Sequence, residues 1–394
     1  MTTDLPIQQP DRTIIVDVLR GFALFGVLLG NFSGMLTNNT PEAIINSISS
    51  SSDKILDTLH SIFVQNKFMT LFSILFGYGF GVIMERIQKK NMNPTSFFLR
   101  RMFWLFVIGC VHLLFWAGDI LHVYAIAGLF LLLYRKQTNR SILVSSVFFL
   151  FILPSLIRFY QQFYLHYSLD YAAFVEKYFM TLKYGSLKDV ALANYKSYPL
   201  QWIYNLVEFR DLSETFGRFL FGYYILRRQI LTRLTDHLPL IRQTLKWSFL
   251  LMLVNIAVWF FMEKNIIQGR IWFYPFFKLG ILSTALFYAT GIILLFQKKK
   301  FMRLMEAFRY TGRMTLINYL MESFVYVIIF YHIGFGLLGE WPLHIIWIAS
   351  FILYFLQAIF SRWWLSKFLY GPVEWIWRQL TYQKRFTLAK NSAA

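Results

Sequence analysis

The chain has 394 residues, 57% of them hydrophobic and only 15% charged, and its 39 Lys/Arg against 20 Asp/Glu give a formal net charge of +19. An ordinary soluble domain carries roughly 25% charged residues, a soluble globule this apolar would expose runs that aggregate, and disorder needs low hydrophobicity. Nucleic-acid binders are basic but not this apolar, so no nucleic acid is expected; the reading is an all-α, polytopic integral membrane helix bundle whose first partners are membrane lipids.

The apolar run from Ile14 to Leu36 is longer than a signal-peptide core of roughly 7–15 residues. It also carries Asp17 and Arg20, so it reads as the first span. A spanning helix needs about 20 mostly apolar residues. On that basis ten spans are predicted, at 14–36, 62–84, 102–117, 119–134, 142–158, 206–226, 247–262, 273–297, 314–332 and 343–361. Residues 1–394 then form a single membrane domain. It has an N-terminal four-helix part at 14–134, an extracytoplasmic loop at 159–205, C-terminal spans at 206–361, and a cytoplasmic amphipathic tail at 362–394. The 159–205 loop, rich in Tyr and Lys, reads as a lid or a pair of short surface helices.

The loops set an orientation. With odd-numbered spans running outward, one set of loops holds 26 Lys/Arg and 6 Asp/Glu, and the other holds 7 and 8. The positive-inside rule places the first set, and both termini, in the cytoplasm.

Twelve charges remain within the spans, six of each sign. Such charges are costly against lipid, so they face the bundle interior, a cavity or an interface. Asp17 and Arg20 lie three apart on one helix face, either as a structural lock or as a pair at the inner mouth of a cavity, where Arg20 could meet a phosphate. Glu208, Asp211, Glu214 and Arg218 make a stripe that reads either as a polar cavity wall or as an interfacial amphipathic helix. Asn31, Lys67, His112, Asp119, His122 and His332 fall into one layer near the outer ends of their spans. His112 with Asp119 is the preferred acid–base pair, since a carboxylate on one imidazole nitrogen leaves the other to take a proton. Asp119 also suits a helix cap. Asn31 and Lys67 are the candidates to hold an oxyanion, with His122, His332 and Glu322 as further polar cavity residues. No metal is expected, because the histidines lack a compact ligand spacing and the single cysteine, Cys110, sits in an apolar run. The glycines of 77-GYGFG-81 have no preceding strand, so they suit close helix packing rather than a nucleotide. Trp375 and Trp377 suggest an interfacial tail helix.

Five stretches carry a family resemblance: 17-DVLRGFALFGVLLGN-31, 67-KFMTLFSILFGYGFG-81, 100-RRMFWLFVIGCVHLLFWAGDILHVYAIAG-128, 312-GRMTLINYLMES-323 and 371-GPVEWIWRQLTY-382. Together the chain resembles the YeiB-like family of bacterial inner-membrane proteins, a domain of unknown function. It is distantly similar to membrane acyltransferases that open with D-x-x-R-G, such as the lysosomal heparan-glucosaminide acetyltransferases. Asp17, Arg20, Gly21 and Asn31 match that opening. The histidine that follows the asparagine in those enzymes is replaced here by Glu42, and Glu322 stands where a glutamine is usual, so His112 would have to take the catalytic role. The resemblance implies transfer of an acyl group from cytoplasmic acyl-CoA to an extracytoplasmic glycan or lipid. Arg20, Arg100, Arg101 and Arg313, with Asp17 beside Arg20, would attract the coenzyme phosphates. The alternatives are a transporter or exporter that uses the same intramembrane charges, and a non-catalytic membrane partner or sensor.

Overall fold

The structure is a computed structural model that describes residues 14–164, 171–203, 206–264 and 271–390. The chain opens with α1 (Ile14–Asn39), two short helices α2 (Glu42–Ile48) and α3 (Ser51–Leu59), a π-helical turn at His60–Val64, and α4 (Lys67–Lys89). Next, α5 (Pro94–Leu113) and α6 (Leu121–Leu131) pack as a hairpin, and a second π-helical turn joins α7 (Asn139–Val147) to α8 (Leu153–Tyr164). Two helices, α9 (Tyr171–Tyr184) and α10 (Leu187–Ile203), precede α11 (Val207–Arg227), α12 (Leu238–Glu263) and α13 (Tyr274–Gln297). The last four are α14 (Met302–Arg313), α15 (Thr315–Phe330), α16 (Leu343–Lys367) and α17 (Pro372–Tyr382). Among the described residues there is no strand, only an isolated antiparallel bridge between Phe368 and Ala389.

The all-α membrane bundle expected from composition is what forms. Among the described residues seven helices are long and apolar enough to cross a membrane: α1, α3 with α4, α5, α7 with α8, α12, α13 and α16. An eighth results if α14 and α15, bent by 87° at Met314, count together. Length and composition therefore support seven or eight spans rather than the ten predicted, for three reasons. The 119–134 segment becomes a short helix over Leu121–Tyr134, α15 has only 16 residues, and α11 is long but heavily charged. Large apolar side chains stand exposed along α5, α12 and α16, among them Phe103, Phe106, Leu250, Leu253, Phe351 and Phe355. Such a surface suits lipid tails, not water.

The charged α11 lies inside, packed against α4, α6 and α7, and its residues 213–220 are all buried. Glu214 neutralises its neighbours there: Arg218 Nη2 donates to Oε2 at 2.7 Å, Lys278 Nζ lies 2.5 Å from Oε1, and Tyr274 donates to Oε1 at 3.0 Å. The Glu214–Arg218 half of the stripe is thus internal, whereas Glu208 is half-buried and Asp211 is exposed beside Arg210. Small residues bring α4 and α11 together, as the 77-GYGFG-81 text suggested. A Cβ on Gly77 would collide with the Phe219 carbonyl, and one on Gly222 with the Ile74 carbonyl.

Local caps explain several boundaries. Asn93 accepts from the Thr95 and Ser96 amides with Pro94 at the first turn of α5, and Thr138 accepts from Ser141 N–H ahead of α7. Ser186 opens α10 by donating both its hydroxyl and its amide to Asp189, which holds that carboxyl below the usual range. Asp53 caps α16 from a distance, accepting from the His344 amide at 2.8 Å and from its Nδ1 at 2.9 Å.

The tail is integral to the fold. Trp377 is buried and donates its indole N–H to the Arg101 carbonyl, while Trp375 donates to Phe386 O. Glu374 Oε1 accepts the Leu316 and Ile317 amides at 2.8 and 3.1 Å, capping α15 where the chain has just bent. Glu374→Ala leaves both donors open. The expected cost is about 1–2 kcal/mol, seen as a lower melting temperature with faster amide exchange at residues 316–317.

Candidate functional site

The turn 114–120 between α5 and α6 folds Asp119 back between the two helices. The Phe115 and Trp116 amides bond the His112 carbonyl, and Asp119 N–H bonds the Trp116 carbonyl at 3.2 Å. Gly109 makes the approach possible: a Cβ there would collide with the His122 amide and lie 3.0 Å from Asp119 Oδ2. Tyr319 of α15 fixes the turn from across the bundle, donating to the Gly118 carbonyl (3.4 Å) and accepting from the Ile120 amide (3.3 Å). The 312–323 and 117–125 motifs therefore meet in space.

The result is one carboxylate between two imidazoles. His112 Nδ1 lies 2.6 Å from Asp119 Oδ1, and His122 Nδ1 lies 2.5 Å from Asp119 Oδ2. The Asp119 side chain is fully buried, and its Oδ2 also caps α6 through the His122 amide at 3.0 Å. An ionised carboxylate only accepts, so each Nδ1 donates its proton to Asp119, and a neutral His112 keeps its lone pair on Nε2. His112 Nε2 is buried without a hydrogen-bond partner. Two touching residues present further buried, unpartnered polar atoms: Trp116 Nε1, one turn along, and Tyr326 OH, whose ring meets Trp116 at 4.8 Å. A buried imidazole with a free lone pair is the equipment for proton transfer, and unpartnered N–H and O–H groups are of the kind that stabilise an oxyanion. Both imidazoles turn Nδ1 toward the same carboxylate, and no group of three His, Cys, Asp or Glu among the described residues is placed to hold a metal.

Of the residues singled out from sequence, His112, Asp119 and His122 come together. Asn31 is half-buried on α1 and makes no hydrogen bond to them. Lys67 begins α4 and donates to the Ser61 carbonyl at 2.5 Å, beside His60. The His332 side chain is exposed, and only its amide is engaged, with Leu182 O. Glu322 is 1% exposed on α15, beside Gln357 of α16. It belongs to a polar seam in which Asn318 donates to Ser361, Gln357 donates to Asn318 O, and Tyr354 bonds Thr311 and Gly21 O. That seam holds α1, α14, α15 and α16 together.

The arginines gather at the other end of α5. Arg101 and His112 are separated by eleven residues, a rise of about 16 Å. Arg101 stacks its guanidinium 3.6 Å above the Trp377 ring and is close enough to Arg20 and Arg378 to feel their charge. It has no carboxylate partner among the described residues. Arg20 pairs with Asp17 at 3.7 Å, and Arg100 donates to Thr381 O and Ser96 Oγ. Arg313 ends α14 at the bend. Sequence reasoning missed Trp116, Tyr319 and Tyr326, because aromatic residues are common everywhere in this chain, and Arg378, because basic residues are common in the tail; Trp377 was expected only as an interfacial residue, and contacts across helices single all of these out.

The two helices within 159–205 cover the histidine end. Asn194 of α10 donates to Leu114 O at 3.1 Å, and Lys183 of α9 to Leu338 O at 2.9 Å.

Fold and site define a multi-pass membrane protein with a buried His–Asp–His cluster at one end and an arginine cluster at the other. Residues 225–384 match the family model described as "Protein of unknown function (DUF418)". An "Uncharacterized protein YxaH" of Bacillus subtilis (strain 168) is 30% identical over 419 residues, covering 100% of both chains. An "Uncharacterized 39.9 kDa protein in amylase 3'region" of Bacillus acidopullulyticus is 28% identical, covering 97% of each. "Uncharacterized protein YeiB" of Escherichia coli (strain K12) is 26% identical, covering 94% of this chain and 96% of its own. The chain belongs to this YeiB-like DUF418 family. No solved structure matches it.

Proposed function

We propose that the protein is a transmembrane acyltransferase that moves an acyl group from cytoplasmic acyl-CoA to a hydroxyl or amine of a glycan or lipid on the outer side of a bacterial plasma membrane. The observation that carries this reading is the Asp119 carboxylate bonded to both histidine Nδ1 atoms while His112 Nε2 stays buried and unpartnered. In this reading the arginine end, beside the basic 85–101 connection and the basic C-terminal tail, faces the cytoplasm. Acyl-CoA is substrate here, not a resident group. Arg101, Arg20 and Arg378 are the residues suited to its phosphates, since guanidinium forks match phosphate oxygens and Arg101 has no carboxylate partner among the described residues.

The chemistry follows from the tautomer. His112 Nε2 takes the proton from the acceptor as its oxygen or nitrogen attacks the thioester carbon. The carbonyl oxygen becomes an oxyanion, and the Trp116 N–H and Tyr326 O–H are the donors in reach of this corner of the bundle. The C–S bond then breaks, and the imidazolium returns its proton to the departing thiolate. Asp119 stabilises the transient imidazolium and keeps the ring oriented. Arg101→Ala in the purified, folded protein is expected to weaken coenzyme A binding at least tenfold by calorimetry, the loss of about one charged hydrogen bond. Unchanged affinity would remove the arginine cluster from the reading.

A second reading, an exporter, draws on one observation. The 87° break between α14 and α15 supplies the kind of interrupted helix that transporters use near their sites. It predicts substrate flux in liposomes that changes with Glu322→Gln and does not need coenzyme A.

A further inference from the structure

A cleft of about 210 Å³ lies between α12, α13 and the 61–67 turn, apart from the His–Asp–His cluster. Its walls differ in character. Met252, Ile256 and Trp259 of α12 and Phe277 and Ile281 of α13 make one side mostly apolar, interrupted by Asn255 and Thr284, and the opposite wall is mostly polar, with Ser61, Gln65, Asn66 and Lys67 beside Ile62. The two helices contribute residues at helical spacing, so each offers one continuous face. Lys67 is only 8% exposed, and its ammonium bonds the Ser61 carbonyl, but no carboxylate partners it among the described residues. A buried ammonium without a counter-charge is costly. The same wall holds the start of α4, whose cap residue Asn66 adopts φ 65° and gives no side-chain bond to the open amides of the first turn. A buried cation and a 23-residue helix's positive end thus share a space that is mostly apolar on its other side.

We propose that this cleft binds the oxyanionic head of an acyl-chain amphiphile, with the head on Lys67 and the first carbons of the chain along Trp259 and Ile256. The volume is too small for a whole lipid and suits a head with the start of one chain. The cleft opens between α12 and α13, and the outer face of α12 is lined by exposed apolar side chains such as Leu253 and Phe260, so an amphiphile in the bilayer is the natural source of the ligand. The shared chemistry is a carboxylate or phosphate on an alkyl chain, and the two are separated by the test.

The test is photo-crosslinking to the detergent-purified full-length protein with a palmitate that carries a diazirine on its chain, mapped by mass spectrometry. Crosslinks are expected on the α12 face from Met252 to Trp259. The methyl ester of the same probe is expected to label that face at least tenfold less, and Lys67→Met to lower labelling to the ester's level while Lys67→Arg retains it. Palmitate competes by construction, so the order of potency decides: palmitate displacing the probe at a lower concentration than monoalkyl phosphate identifies a fatty-acid carboxylate, and monoalkyl phosphate displacing it at the lower concentration identifies a phosphate head. Equal labelling by acid and ester in the wild-type protein would overturn the proposal, whatever the variants do. So would full labelling of folded Lys67→Met. Neither result bears on acyl transfer, because no turnover is read.

Discussion

Asp119→Asn is expected to lower acyl transfer by on the order of 10²–10⁴-fold, the contribution of positioned acid–base catalysis. A carboxylate accepts from both Nδ1–H groups. A carboxamide accepts through its oxygen but donates through its nitrogen. One histidine must then present Nδ1 as acceptor and move its proton to Nε2, where it can no longer serve as base. His112→Ala is expected to cost as much, whereas His122→Ala leaves the His112–Asp119 bond in place and costs less. The ordering matters more than the size. Initial rates of thiol release from acetyl-CoA, on variants whose melting temperature stays within a few degrees of the parent, read it directly. Full activity in Asp119→Asn would remove the cluster from the mechanism.

The largest effect on stability is expected at Gly222. A side chain there meets the backbone carbonyl of Ile74 and the Tyr78 amide, and neither can rotate away as a side chain would. Gly222→Val must push α4 and α11 apart. These helices enclose Phe76, Phe219 and Tyr124, whose rings touch with centroids 4.6–5.2 Å apart, and the buried Glu214 pairs. Overpacking against backbone is expected to cost about 3 kcal/mol or more, enough to leave little folded protein by size exclusion. Gly291→Ala is the internal comparison. A Cβ there would meet only a Leu245 methyl, 4.0 Å away, so the melting temperature should hardly move. A stable Gly222→Val protein would mean that the α4–α11 approach is looser than described.

The parts legible from sequence are those set by one helix at a time. The apolar length of α1, α4, α12, α13 and α16 marks them as spans without reference to neighbours. His112 and Asp119 were also legible, because seven residues and one turn separate them and chain geometry alone keeps them close. Asn31, Lys67 and His332 failed to join them because depth along a helix says nothing of rotation about its axis. His332 lies at the right end but faces out, and Lys67 lies on the side of α4 that meets α12 and α13. Long-range capping was equally hidden. Nothing in the 371–382 text says that Glu374 closes α15, and nothing near Asp53 points to His344, 291 residues away. The same limit explains α11. Its charges suggested an interface helix until Lys278 and Tyr274, from a helix far along the chain, were seen to satisfy Glu214. The glycine of the D-x-x-R-G opening has a packing reason of its own, since a Cβ on Gly21 would strike the Phe308 carbonyl of α14.

The most direct measurement is a label-transfer assay in oriented proteoliposomes. Acetyl-CoA labelled in the acetyl group is supplied on the side of Arg101 and α17, with glucosamine enclosed on the other. The account predicts labelled N-acetylglucosamine or acetylated lipid on the far side, free coenzyme A on the near side, and loss of both in His112→Ala. Absence of any label transfer, together with no binding of acetyl-CoA at millimolar concentration, would contradict it.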